Sequence, residues 1–264
     1  MPVDLLNAWT GQQDYPTNGH TLAASAGTNR VGIVTVSHEM NGGGGIGNDG
    51  GCVVVWGGQT CAEGEMDWCG GQDVYHDMAF IGYLTEAQVA LMTDGVVDSV
   101  TITNGNGGVG PFGNSKVKTA FYENVDQGNI ISAASKANTG NGTSSTATAD
   151  NLTMGTLDTD VDEQVIMHGT SGQGETGGAD SYVDETGWTH EVSHVGDETN
   201  DHASSSMTRD SQANDDALAV NFNCASANRL SVVTISLGFA APAGGLSIPV
   251  AMANYRRQHQ AWGR

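Results

Sequence analysis

The sequence predicts an all-β protein, an antiparallel β-sandwich, and three observations support this fold class. Short runs rich in Val, Ile and Thr recur along the chain and end at Gly, Asn, Asp or Ser, a pattern typical of strands joined by turns. Glycine supplies 38 of the 264 residues. That is about twice its ordinary share, and glycine is tolerated best in turns and bulges. Only one internal segment has the composition of a helix.

The strands are expected to follow an N-terminal arm, residues 1–18. Residues 5–25 are predicted to be an entry segment with Trp9 and Leu22 as core anchors. Strands are predicted at residues 30–37, 52–56, 73–84, 99–103, 116–122, 164–168, 187–194, 203–209, 217–222 and 230–237. Residues 57–72 are predicted to form a polar loop. Residues 137–149, rich in Ser, Thr, Gly and Asn, are predicted to be a surface loop or an irregular edge strand. No repeat of fixed period is visible.

Two helices are predicted, one short and internal and one in a C-terminal tail. The internal helix covers residues 85–94, with Thr85 as its N-cap. In the tail, apolar side chains at residues 248, 252, 255 and 262 share one helical face. A helix of this length is marginal alone in water, so it must dock on its own sandwich or on a neighbour's acidic surface. The sequence therefore predicts one β-sandwich domain over residues 1–240, then a linker and assembly tail over residues 241–264.

The tail also carries three of the nine basic residues of the chain. Its candidate interface residues are Ile248, Met252, Tyr255, Arg256, Arg257, Trp262 and Arg264. A cationic, aromatic segment attached to an acidic body suggests docking on a neighbour's acidic surface, and a capping helix on its own domain is the equal alternative.

The net charge is −21, from 30 acidic and nine basic residues. Between residues 137 and 208 there are 13 acidic side chains and no Lys or Arg. Such a surface repels phosphate backbones and anionic lipids. No nucleic-acid or membrane partner is predicted.

Segments that would direct the chain to a membrane or out of the cell are not predicted. Residues 1–18 lack the basic start and apolar core of a secretory signal. The uncharged segment 232–253 approaches the length of a membrane span, but Gly and Pro interrupt it. The four cysteines are Cys52, Cys61, Cys69 and Cys224. One disulfide could join Cys61 and Cys69, while free thiols in a reducing cytoplasm are the favoured interpretation.

One segment matches the HExxH pattern of zinc proteases, at His190, Glu191 and His194. That chemistry needs a helix, which places the two imidazoles one turn apart and the glutamate as general base. Gly187 and Gly196 bracket the segment, so a strand is predicted instead, with the two histidines about 13 Å apart. That distance is too long for one metal ion, and a metalloenzyme ranks third among the hypotheses.

Asp158, Asp160 and Asp162 are candidate ligands for a structural cation, because hard cations bind several carboxylates. At alternate positions they would line one face of a strand, and a solvated acidic edge is the default interpretation. The glycine loop 42–47 lacks the following helix that a phosphate site needs. The sequence nominates no catalytic residue and no cofactor.

Several phrases, read in order, resemble a β-sandwich of virion structural proteins from tailed phages, including marine phages, and of bacterial surface proteins. The phrases are TNR at residues 28–30, VWGGQ at 55–59, YLTEA at 83–87, FYENVDQ at 121–127 and IPVAMANYR at 248–256. The resemblance implies a jelly-roll-like sandwich with a structural or adhesive role.

The leading hypothesis is a non-enzymatic virion structural protein, a capsid decoration or head-fibre protein of a tailed phage. It would be made in the host cytoplasm and would assemble through its tail with other virion proteins, as a homo-oligomer. The alternative is a tail-fibre or surface adhesin that binds host glycans. Aromatic rings can stack on sugars, and the candidates are Trp56, Trp68, Tyr75 and Trp188.

Overall fold

The computed structural model describes most of the chain up to residue 240. The described residues are 2–10, 13–14, 17–18, 27–41, 52–70, 75–92, 99–104, 115–139, 151–172, 181–182, 187–197, 202–210, 215–225 and 229–240. Within these ranges there are eighteen strands and one short helix. Every pairing between these strands is antiparallel. The predicted all-β, sandwich-like fold class is therefore confirmed.

The first half of the chain forms two sheets. Its elements are β1 (Asp4–Asn7), β2 (Gln13–Asp14), β3 (Thr17–Asn18), β4 (Val31–Asn41), β5 (Cys52–Trp56), β6 (Gln59–Thr60), β7 (Ala62–Gly70), β8 (Tyr75–Leu84), α1 (Glu86–Val89), β9 (Ser99–Asn104) and β10 (Lys116–Glu123). The first large sheet has the order β1-β10-β4-β8-β7, and β2 also pairs with β10. The first small sheet has the order β3-β9-β5-β6.

The second half of the chain forms two further sheets. Its strands are β11 (Ile131–Thr139), β12 (Asn151–Thr159), β13 (Gln164–Gly172), β14 (Ser181–Tyr182), β15 (Thr189–Asp197), β16 (His202–Asp210), β17 (Asp215–Ala225) and β18 (Arg229–Leu237). The second large sheet has the order β11-β18-β13-β16-β15, and the second small sheet has the order β12-β17-β14.

The two halves have the same strand order. Let β1, β3, β4, β5, β7, β8, β9 and β10 be the first to eighth strands of one half, and β11 to β18 those of the other. Both large sheets then read first-eighth-third-sixth-fifth, and both small sheets contain the run second-seventh-fourth. The chain is thus a tandem repeat of one eight-strand topology, although its sequence shows no repeat.

The four sheets stack as four layers with three apolar cores between them. One core cluster joins the first small and first large sheets and includes Val34, Trp56 and Phe80. A second joins the two large sheets, and a third joins the second large and second small sheets. Because the large sheets are covered on both faces, consecutive residues of their central strands are buried. In β4, Val31 and Ile33 belong to the central core while Val34 and Val36 belong to the first.

One predicted loop is wrong. Residues 57–72 contain β6 and the nine-residue strand β7, which pairs with β8 along the edge of the first large sheet. The acidic residues of β7 favour a loop when the sequence is considered alone. Two of them are satisfied from the second half of the chain, because Lys136 pairs with Glu65 and Asn138 donates to Asp67.

The helix prediction is correct at its start and too long at its end. Thr85 is the N-cap of α1, and its side chain and that of Gln88 form a capping box. The helix ends at Val89, with Ala90 as its C-cap. Trp9 is buried as predicted, whereas Leu22 lies outside the described residues.

The predicted linker and tail, residues 241–264, lie outside the described residues. The division at residue 240 and the candidate interface residues therefore stay predictions. No helix in the described part of the chain is long and apolar enough to span a membrane.

Candidate functional site: an acidic cavity between the large sheets

The two large sheets pack face to face in opposite strand order. β7 and β8 of the first sheet contact β11 and β18 of the second, and β4 contacts β13 and β16. Continuing this order places β10 and β1 opposite β16 and β15. We call the β7–β11 side the closed edge and the β1–β15 side the open edge.

At the open edge the sheets enclose a cavity of about 530 Å³. Among the described residues, five carboxylates line it, and no Lys or Arg does. They are Asp4 of β1, Asp162 and Glu163 of the turn before β13, Glu191 of β15, and Asp210 of β16. The cavity therefore concentrates negative charge from four separate parts of the fold.

Neutral groups hold three of these carboxylates in place. Glu191 Oε1 accepts a 2.5 Å hydrogen bond from the Thr208 hydroxyl. Glu163 Oε2 accepts from the Ser236 hydroxyl at 2.8 Å and from the Asp160 backbone N–H at 3.1 Å. Asp4 Oδ2 accepts from the side-chain amide of Asn124 at 3.4 Å. These contacts fix positions without neutralising charge.

The N-terminal arm closes one wall of the cavity. The Val3 backbone N–H donates to the Asp162 carbonyl at 3.0 Å, which ties the arm to the turn before β13. The side-chain amide of Asn124 also donates to the Pro2 carbonyl at 3.1 Å. The arm is therefore a structural part of the site.

Tyr122 forms the floor of the cavity and is only 1% exposed. Its hydroxyl oxygen accepts a 3.0 Å hydrogen bond from Trp9 Nε1. Burial raises the pKa of Tyr122, and the charges of Glu191 and Asp210 raise it further, although the bond from Trp9 lowers it. The hydroxyl of Tyr122 therefore stays protonated. Among the described residues, its only hydrogen bond is the one it accepts from Trp9, so its own proton has no acceptor there.

The closed edge shows how the same acidic arrangement is neutralised elsewhere in the molecule. There Lys136 of β11 reaches across to β7, where its Nζ lies 2.9 Å from Glu65 Oε1 and donates to the Met66 carbonyl at 3.0 Å. Asn138 of β11 donates to Asp67 Oδ2 at 3.0 Å. The hydrogen bond with Glu65 raises the pKa of Lys136, which keeps this amine charged.

Equivalent strands meet at the open edge with a different result. β1 and β15 at the open edge are the counterparts of β11 and β7 at the closed edge. Strand β11 contributes Lys136 to the closed edge, whereas its counterpart β1 contributes Asp4 to the open edge. The two edges share a topology and an acidic fifth strand, but among the described side chains a lysine contacts that strand only at the closed edge.

The HExxH segment forms strand β15, as predicted, and not a helix. Glu191 lies in the cavity, bonded to Thr208. The side chains of His190 and His194 lie outside the described ones. Among the described residues, no group of three or more His, Cys, Asp or Glu side chains is placed to hold a metal ion.

The three candidate cation ligands do not share one strand face, which corrects the prediction. β12 ends at Thr159 and residues 160–163 form a turn, with Asp162 in the left-handed region at φ 74°. Asp158 and Asp160 are exposed, and only Asp162 lines the cavity.

The cysteines and aromatic candidates occupy the cores. Cys52 and Cys61 are buried free thiols, so Cys61 forms no disulfide with Cys69. Burial raises the pKa of Cys61 to about 12 and raises that of Cys52 as well.

Trp56 and Trp188 are buried, and Trp68 packs half-buried against the first core. The Tyr75 side chain lies outside the described ones.

No protein-family model, no curated protein and no solved structure matches the chain.

The cavity itself was not predicted, because Asp4, Glu163, Tyr122 and Asp210 are scattered along the sequence. Only the overall acidic excess pointed toward such a site.

Proposed function

We propose that the protein is a non-enzymatic structural subunit of a virion, a capsid decoration or head-fibre protein of a tailed phage. In this role it assembles as a homo-oligomer, with its C-terminal tail on neighbouring subunits. It is made in the host cytoplasm, and its buried thiols Cys52 and Cys61 fit a reducing compartment.

The observation that carries this proposal is the strand order. A jelly roll has eight antiparallel strands in two sheets, and viral capsid and lectin domains use it. The order first-eighth-third-sixth in one sheet with second-seventh-fourth in the other is found in both halves, where the fifth strand pairs with the sixth in the large sheet. This order supports a tandem pair of jelly-roll-like sandwiches. Such a rigid, four-layered body suits a particle surface.

The second candidate function, a glycan-binding adhesin, has less support from the side chains. Jelly rolls also serve as lectins, but a sugar needs an exposed ring face. Trp56 and Trp188 are 0% and 9% exposed, so these two rings are used for packing.

Quantitative mass spectrometry of gradient-purified particles tests the proposal. Hundreds of copies per particle, co-sedimenting with the major shell protein, would support a decoration role. A handful of copies would move the protein to a fibre, and its absence from particles would refute a virion role.

Deletion of residues 247–264 tests the role of the tail. We expect the variant to keep its far-ultraviolet circular dichroism and melting transition, because the described cores end at residue 240, but to sediment as a monomer. A variant that still assembles like the full chain contradicts tail-mediated assembly.

A further inference from the structure

We propose that the acidic cavity at the open edge is the receptor for the C-terminal segment of a second copy of this chain, entered by arginine side chains of residues 247–264. This inference rests on the proposed assembly through the tail. It adds the location of the contact and the chemistry of its partner.

The first argument is the missing cation. At the closed edge, Lys136 forms an ion pair with Glu65 of the acidic strand β7. At the open edge, five carboxylates line one cavity, and the described hydrogen bonds from other side chains to three of them come from neutral groups. Like charges gathered in a partly enclosed space repel strongly, and an arriving cation relieves that repulsion.

The second argument concerns the shape of the occupant. A cavity of about 530 Å³ is far larger than the roughly 30 Å³ that a water molecule occupies in the liquid, so it accepts side chains. The apolar walls Val3, Leu5 and Val161 suit the methylene stem of arginine. Its planar fork forms two hydrogen bonds to one carboxylate.

The third argument is the buried hydroxyl of Tyr122. The hydroxyl accepts a hydrogen bond from Trp9, and none of the hydrogen bonds among the described residues gives its own proton an acceptor. A peptide brings backbone carbonyls together with its guanidinium groups, so it satisfies both the hydroxyl and the carboxylates. A simple cation satisfies only the carboxylates.

The fourth argument is the source of the arginines. Six of the nine basic residues lie in or beside the described strands: Arg30, Lys116, Lys118, Lys136, Arg209 and Arg229. The three others, Arg256, Arg257 and Arg264, are all in the tail. The tail is therefore the segment that carries all the basic residues lying away from the described strands.

The fifth argument is the place where the tail begins. The Ala240 backbone N–H donates to the Asn124 carbonyl at 2.7 Å. The side chain of that asparagine bonds to Pro2 and Asp4 at the rim of the cavity. The tail therefore begins on the same part of the surface as the cavity that would receive it. Two copies that face each other through this surface can exchange tails in a closed, two-fold dimer.

The test uses the full-length chain with Arg256→Lys and Arg257→Lys. A carbodiimide then condenses these amines with any touching carboxylate, with loss of water. The native lysines give a background that is easily recognised, because Lys116 and Lys118 are buried and Lys136 touches Glu65 and should be linked to it within one chain. Light and heavy isotope-labelled copies are mixed before cross-linking, so mass spectrometry reads both the site and the copy.

We expect cross-links from residues 256 or 257 to Asp4, Glu191 or Asp210, with the two ends in different isotopes. Glu191→Gln with Asp210→Asn should weaken self-association at least about tenfold. The matched control is Asp158→Asn with Asp160→Asn, which removes two exposed charges outside the cavity and should leave association unchanged.

Cross-links to acidic residues elsewhere, or within one isotope only, overturn the proposal. Sedimentation of the same samples separates the two levels. Assembled chains with cross-links outside the cavity refute the receptor but leave tail-mediated assembly intact. Monomeric chains refute the assembly function as well.

Discussion

At the scale of single residues, Lys118 is the least expected feature of the interior. It lies in β10 beside Thr35 of β4 and is 1% exposed. Burial lowers its pKa from 10.5 to about 7. In the unfolded chain the amine stays protonated up to its ordinary value, so between these limits the unfolded state binds more protons. Stability therefore rises with pH through this window.

Lys118→Met should remove this pH dependence. The native chain is expected to gain about 2 kcal/mol between pH 6 and pH 8.5 from this group alone, and the variant should lack that gain and be more stable at pH 6. Urea unfolding at both pH values measures the difference. Equal pH profiles for both proteins would contradict the assignment. Higher pH is avoided because the buried thiols of Cys52 and Cys61 then act in the opposite direction.

Gly238 illustrates a close approach of two backbones. A Cβ at this position would lie 2.4 Å from the Asn129 carbonyl oxygen, which is part of the backbone and cannot move aside cheaply. Gly238→Ala should cost about 1–3 kcal/mol in unfolding free energy. The control is Gly128→Ala, where the nearest atom is a side-chain oxygen of Asp126 at 3.3 Å. A similar, small effect for both would refute the steric argument.

At the scale of elements, the sequence was informative wherever burial on both faces of a sheet made a strand apolar. β5 begins and ends where it was predicted, and β4, β8, β10 and β18 differ by a few residues. β7, most of β11 and β12 were not predicted, because polar side chains fill them. Their strand character comes from pairing and from distant partners such as Lys136 and Asn138. No local pattern records those partners.

The start of α1 is an element that sequence chemistry specifies well. The Gln88 backbone N–H donates to the Thr85 hydroxyl, and the Gln88 side chain accepts from the Thr85 backbone N–H at 3.0 Å. Thr85→Ala should cost about 1 kcal/mol, and Thr85→Ser should restore most of it. Leu91→Ala, at a residue 70% exposed, should change little. Thermal melts of the three variants measure the order, and an equal loss for Ala and Ser would contradict the cap.

At the scale of the whole molecule, the central core makes the two halves interdependent. Ile33 and Ile81 of the first half share one cluster with Ile166 and Ile235 of the second. The candidate cavity also needs both halves, which explains why the sequence did not reveal it. Its carboxylates are brought together only by the packing of one large sheet on the other.

Ile235→Ala should therefore destabilise both halves together, by about 2–4 kcal/mol. Hydrogen exchange of peptides from β4 and from β13 measures each half separately, and both should lose protection equally. Leu218→Ala, in the core of the second half alone, should affect β13 more than β4. Loss confined to β13 in the Ile235 variant would show that the halves unfold independently.

The pairing of the first strand of each half with its eighth has a consequence for synthesis. Asp4 pairs with Glu123, and a ribosome adds about 5–20 residues per second. The arm therefore waits on the order of 10 s for its partner, while folding of such β topologies takes milliseconds to seconds. The second half repeats this delay before its sheet can close against the first. Since the cavity needs both sheets, it is completed only when nearly the whole chain has been made. In the proposed assembly, a nascent chain therefore offers no complete cavity to a neighbouring copy.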